Sequence, residues 1–145
     1  MLKNIISYIF IYIILVGCEN IIQSEECLNC TLELSTELVV DKNGYHHLEW
    51  ISGYNQTFTR VDAFIGSDYE YVSWVSNVEY CMEWMGTEQC NNLVNGSSYS
   101  GEDGIASTIL GVHYEHIGDT ITVHCAYYDN YGVQYLNNIG VIINE

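Results

Sequence analysis

The sequence predicts an all-β domain, a two-sheet sandwich of about seven to eight antiparallel strands. Three observations predict it. Over residues 118–128, Ile121, Val123, Cys125 and Tyr127 fall on one side, and Thr120, Thr122, His124 and Ala126 on the other. That alternation is what a half-buried strand requires. Asn and Gly recur between short apolar runs, and proline is absent, so turns are frequent and no ring blocks strand pairing. No stretch sustains the spacing of an amphipathic helix.

The domain is expected over residues 32–145. Residues 32–40 alternate partly and end at Asp41-Lys42-Asn43-Gly44, where Asn-Gly supplies the positive φ of a hairpin turn. Residues 45–51 return with Leu48 and Trp50 on one face. After a loop at 52–55, residues 57–65 carry Val61, Ala63 and Ile65 on one side. A turn at 66–68 leads into 69–76, with Val72 and Trp74 facing one way. Residues 78–84 follow, with Val78, Tyr80, Met82 and Trp84 opposite Cys81. The chain turns at 85–88 and returns through Cys90 to Val94. The Ser-, Gly- and Asn-rich stretch 95–104 is expected to be the longest surface loop. Residues 105–115 are read as a strand or two. The alternating strand at 118–128 turns at Asp129-Asn130-Tyr131-Gly132, and 133–143 pairs back as the last strand.

The first 31 residues are of another kind. Lys3 and the α-amino group make a short positive start, and residues 5–16 are almost wholly apolar. That run suits a signal-peptide core and is shorter than the about 20 residues of a spanning helix. It ends in Leu15-Val16-Gly17-Cys18, which resembles the lipobox of bacterial lipoproteins. The resemblance implies cleavage before Cys18, a diacylglycerol thioether on its sulfur and acylation of the new amino group. More than one acyl chain holds a protein stably on a membrane. The expected division is therefore a signal peptide at 1–17, a tether at 18–31 and the β domain at 32–145. The expected place is the bacterial cell envelope, lipid-anchored, at the outer membrane.

Export puts Cys27, Cys30, Cys81, Cys90 and Cys125 in an oxidising compartment, where disulfides are the rule. Cys81 and Cys90 are expected to staple their own hairpin. Cys27-Leu28-Asn29-Cys30 is a CxxC without the βαβ context of a redox motif and without a second pair for zinc. It is read as pinning the tether, the two pairing with each other or with Cys125. Their number is odd, so at least one thiol is left over or pairs elsewhere.

The entry Gly118-Asp119-Thr120-x-Thr122-Val123-x-Cys125, with Trp74 in an earlier strand, resembles immunoglobulin-like domains of bacterial surface proteins. The resemblance implies an immunoglobulin-like β-sandwich. The chain departs from the Cys…Trp…Cys spacing of true immunoglobulin domains.

The chain has 145 residues, 19 acidic against 3 basic, and a formal net charge of −16. After cleavage only Lys42 and Arg60 would remain positive. A phosphate backbone or an anionic bilayer repels such a surface, so no nucleic-acid role is expected and any membrane contact comes through the lipid on Cys18. No GxSxG, HExxH, P-loop or dinucleotide-binding glycine pattern occurs, and no catalytic residue, cofactor or metal is expected. His113 and His116 would point to opposite faces of a strand, as exposed turn residues. Asp41, Glu102-Asp103 and Asp129-Asn130 offer loop oxygens without EF-hand spacing. Asn29, Asn55 and Asn95 begin sequons that a bacterial lipobox makes irrelevant.

The expected function is a non-catalytic binding or envelope-interaction module. Trp84 and Met85 at the hairpin tip are candidate contact residues for an envelope protein or a glycan, although Trp84 could instead fold back as core. The alternative is a glycan-binding accessory domain using exposed Tyr and Trp, with Tyr127, Tyr128, Tyr131 and Tyr135 as a stacking platform. Alternation would bury about half of these tyrosines.

Overall fold

The computed structural model describes residues 32–145. Cys18, Cys27 and Cys30 lie outside the described residues. The domain is all-β apart from one 3-10 turn, Tyr114–His116. Its strands are β1 (Glu33–Ser35), β2 (Val39–Val40), β3 (His46–Glu49), β4 (Gln56–Phe64), β5 (Tyr71–Ser76), β6 (Glu79–Trp84), β7 (Thr87–Asn92), β8 (Ser97–Tyr99), β9 (Ile105–His113), β10 (Thr120–Tyr128) and β11 (Gln134–Asn144).

The strands form a three-stranded sheet, β1-β4-β9, a six-stranded sheet, β2-β3-β11-β10-β5-β8, and a separate pair, β6-β7. All pairings are antiparallel except β3 with β11, which runs parallel. Eleven strands exceed the seven to eight expected, because short edge strands escape a reading based on apolar alternation. The expected single strand at 32–40 is split. β1 pairs with β4 in one sheet and β2 with β3 in the other. Between them the Thr36 hydroxyl accepts the Leu38 N–H at 3.0 Å, which redirects the chain. The expected loop at 95–104 contains β8, paired with β5. Its sequence, Ser-Ser-Tyr, is polar because an edge strand there buries little.

The alternation of β10 behaves as the sequence requires. Ile121, Val123, Cys125 and Tyr127 are buried, and so are Val72 and Trp74 of β5 and Ile139, Val141 and Ile143 of β11. Val61 and Ala63 of β4 and Ala106, Leu110 and Val112 of β9 join the same apolar cluster. The two larger sheets therefore share one core. Trp74 sits opposite Cys125 in the ladder, and its indole N–H donates to Ser98 Oγ at 2.8 Å, which satisfies the polar edge of a buried ring.

One turn recurs at the two Asp-initiated hairpins. Asp41 Oδ1 accepts the N–H groups of Asn43 and Tyr45 at 2.8 and 3.0 Å. Asp129 Oδ1 accepts those of Tyr131 and Val133 at 2.9 and 2.8 Å. Gly44 and Gly132 follow at φ 86° and 78°, a conformation glycine adopts without steric cost. Asp103 Oδ1 likewise accepts the Ile105 N–H at 3.0 Å. These loop carboxylates are thus engaged in fixing turns.

Candidate functional site

The strand pair β6-β7 stands off the two sheets as a finger. Met85 and Gly86 connect it, at φ 53° and 77°. Positive φ at both central residues matches the twist of paired strands, but for a side chain as large as Met it costs about 1 kcal/mol. The expected staple is present, because Cys81 and Cys90 are disulfide-bonded and face each other in the ladder.

Alternation gives the finger two unlike sides. Tyr80, Met82 and Trp84 share one side with their partners Asn91, Gln89 and Thr87, and that side is uncharged. The other side carries the disulfide, Glu79 and the directly opposed pair Glu83 and Glu88. Trp84 is 58% exposed and Met85 90%. Trp84 therefore does not fold back into the core, which leaves two large apolar groups at the tip.

The root of the finger is held at two places. On the β5 side, Asn92 Oδ1 accepts the N–H of Ser76 at 2.9 Å and of Val94 at 3.3 Å. The buried Ser76 hydroxyl accepts the Leu93 N–H at 3.1 Å and donates to the Val78 carbonyl at 2.6 Å. On the β9 side, the ring of Tyr80 stacks on that of His113. The Gln56 side-chain amide lies 2.6 Å from His113 Nε2, and the His113 N–H donates to His116 Nδ1 at 3.0 Å. Burial depresses the His113 pKa below its ordinary value, Glu115 opposing and His116 adding to the shift.

That cluster corrects the expectation that His113 and His116 diverge as exposed turn residues. The strand ends at His113 and the chain enters the 3-10 turn, so alternation stops applying. The rings come within 6.1 Å, and His116 is buried.

A groove of about 300 Å³ opens between the finger root and the outward face of β4 and β9. Phe58 is among the residues that line it. Phe58 faces Gly111 across the ladder, and a Cβ built on Gly111 would lie 3.0 Å from the ring. Only Cδ1 and Cε1 of the ring come within 4 Å of that position, so the ring sets one edge against bare backbone, and the residue stays 59% exposed. Ile109, Tyr80, Met82, Asn91 and Asn95 complete the walls. The inward positions Val61, Ala63 and Ile65 already imply that Phe58 points out. What the sequence does not reveal is that the finger root stands beside it.

Tyr128 and Tyr131 are exposed, Tyr131 at 81%, but they belong to the end of β10 and the turn after it. Tyr127 points inward and stacks on the half-buried Tyr135 at 4.8 Å. The four tyrosines thus make no common platform. The Tyr135 hydroxyl donates to Asp129 Oδ2 at 3.2 Å, whereas the buried Tyr127 hydroxyl has no partner among the described residues. Cys81, Cys90 and Glu88 lie together, but the two sulfurs are bonded to each other, so no thiolate is available to a metal. Cys125 is buried and makes no disulfide among the described residues.

No family model matches the chain, and no curated protein matches it. Among solved structures the chain is similar to a DUF4466 family protein from Parabacteroides merdae ATCC 43184, at 10% identity and a TM-score of 0.37. The likeness covers 76% of this chain and 43% of that one, so the chain spans less than half of that protein's length.

Proposed function

We propose that the chain is an exported bacterial lipoprotein, anchored in the cell envelope at the outer membrane through Cys18, whose β domain is a non-catalytic binding module. The observation that carries the binding role is the finger tip. Met85 stands 90% exposed in a left-handed backbone conformation beside the exposed Trp84. A large apolar side chain held in a costly conformation and left in water destabilises the free protein, and such features mark contact sites. The disulfide keeps the tip rigid, so less order is lost on binding. The occupant that fits an exposed Trp and Met is an apolar recess on an envelope protein.

The anchor rests on Leu15-Val16-Gly17-Cys18 and the apolar run before it. The Cys81–Cys90 bond agrees with export, since such bonds persist outside the reducing cytosol. The finer architecture, an immunoglobulin-like two-sheet sandwich, belongs to the same proposal. It draws on the core shared by β4 and β9 with β5, β10 and β11.

Radioactive palmitate should label the wild type and leave Cys18→Ala unlabelled; equal labelling of both removes the anchor. Trp84→Ala should leave the melting temperature unchanged and abolish co-purification of a discrete envelope protein with the detergent-extracted full chain. Undiminished co-purification removes the tip.

A further inference from the structure

We propose that the groove at the root of the finger is a binding site for a neutral saccharide. It lies beyond the tip contact, and its evidence is separate.

Charge comes first. The chain has 19 acidic residues, yet no Asp, Glu, Lys or Arg lines the groove. An anionic ligand meets repulsion on approach to this surface, and a cationic one is drawn to the acidic exterior instead. An uncharged concave patch on such a protein selects an uncharged ligand.

Shape and chemistry narrow the class. Phe58 is 59% exposed and sets one ring edge against the Gly111 backbone, so it offers apolar ring surface to the groove. The C–H face of a pyranose fits such a ring. Around it stand the amides of Asn91, Asn95 and Gln56. Among the described residues the side chains of Asn91 and Asn95 make no hydrogen bond, and Gln56 uses its nitrogen toward His113. Each amide both donates and accepts, and so does each sugar hydroxyl. The volume, about 300 Å³, lies at the small end of ligand sites and suits a short saccharide.

The walls are built in advance of binding. Asn92 ties the root to Ser76, the Tyr80–His113 stack ties it to β9, and the disulfide closes the finger. A site held at three points loses little freedom when filled.

The test uses the full chain in a zwitterionic detergent, since sugar-headed detergents would compete. Neutral trisaccharides of glucose, mannose, galactose and N-acetylglucosamine, and the trimer of galacturonic acid, are titrated by calorimetry. At least one neutral trimer should bind, and the galacturonate trimer should bind about tenfold or more weakly. Phe58→Ala should weaken the neutral ligand about tenfold, the scale of one lost aromatic contact. Phe58→Tyr should retain it, Asn91→Ala should weaken it, and Phe64→Ala, exposed elsewhere on the same strand, should leave it unchanged. Failure of all neutral trimers to bind overturns the proposal. So does preference for the galacturonate, or full binding by Phe58→Ala with an unchanged melting temperature. None of these outcomes bears on the tip, which Trp84→Ala tests with a different ligand.

Discussion

Tyr80 lies flat against His113, ring centroids 3.6 Å apart and planes 6° from parallel. This stack joins the finger to the end of β9. It connects a hairpin that is exposed along residues 81–91 to a strand whose inward residues Ala106, Thr108, Leu110 and Val112 are buried.

Tyr80→Ala should cost about 0.5–1.5 kcal/mol for the stacked pair, plus the lost burial, and the loss should be local. Amide exchange across Glu79–Trp84 and Thr87–Asn92 should accelerate, while Thr120–Tyr128 exchanges as before. Mass-spectrometric exchange separates the two segments. Equal acceleration in both would mean that the finger and the core unfold together.

Acid should weaken the fold in two stages. Burial lowers the pKa values of His113 and His46 below 6.5, so the native state favours their neutral rings. Their contribution is complete above pH 6.5 and declines as pH falls from there toward the native values. Asp41 follows the carboxylate rule. The Tyr45 N–H, first among its causes, holds its pKa below 3.8. Its contribution is present above pH 3.8 and is lost as pH falls through the lowered native value. Thermal melts from pH 7.5 to 3 should show both declines, and His113→Gln should reduce the first alone.

Reducing the Cys81–Cys90 bond opens a loop with a sequence separation of 9, for which chain entropy gives about 2–3 kcal/mol. The core lies elsewhere, so Cys81→Ser with Cys90→Ser should leave a folded domain. Near-ultraviolet dichroism from Trp74 should persist at room temperature. Its disappearance would show that the finger is needed for folding.

Burial pushes the Cys125 thiol up to about 12, and the side chain is 1% exposed. Iodoacetamide at pH 8 should therefore leave the Cys125 peptide unmodified in the native protein and alkylate it in denaturant with reductant. Rapid native alkylation would place this cysteine at the surface.

Much of the frame was legible from local chemistry. The alternation of 120–128, the two Asp-initiated turns at 41 and 129, and the Cys81–Cys90 hairpin all arise from residues close in sequence. Failures came where sequence distance grew or apolar signal vanished. Ser97-Ser98-Tyr99 forms an edge strand with almost nothing to bury. The parallel pairing of β3 with β11 joins residues such as His46 and Val141, which no local pattern relates. The groove has the same origin, since Phe58, Tyr80, Asn91 and Ile109 come from four strands. Trp84 was ambiguous because alternation places it on the side of Tyr80, and only the outward path of the finger keeps it from the core.

The most direct test of the account asks whether the exposed tip touches anything in the cell. A photo-crosslinking amino acid at Met85 of the full chain, illuminated in intact cells, should give one discrete adduct that disappears when Trp84→Ala is added. A probe at the exposed Asn138 should give none. No adduct from Met85, or the same adducts from both positions, would contradict the finger as the working surface of this protein.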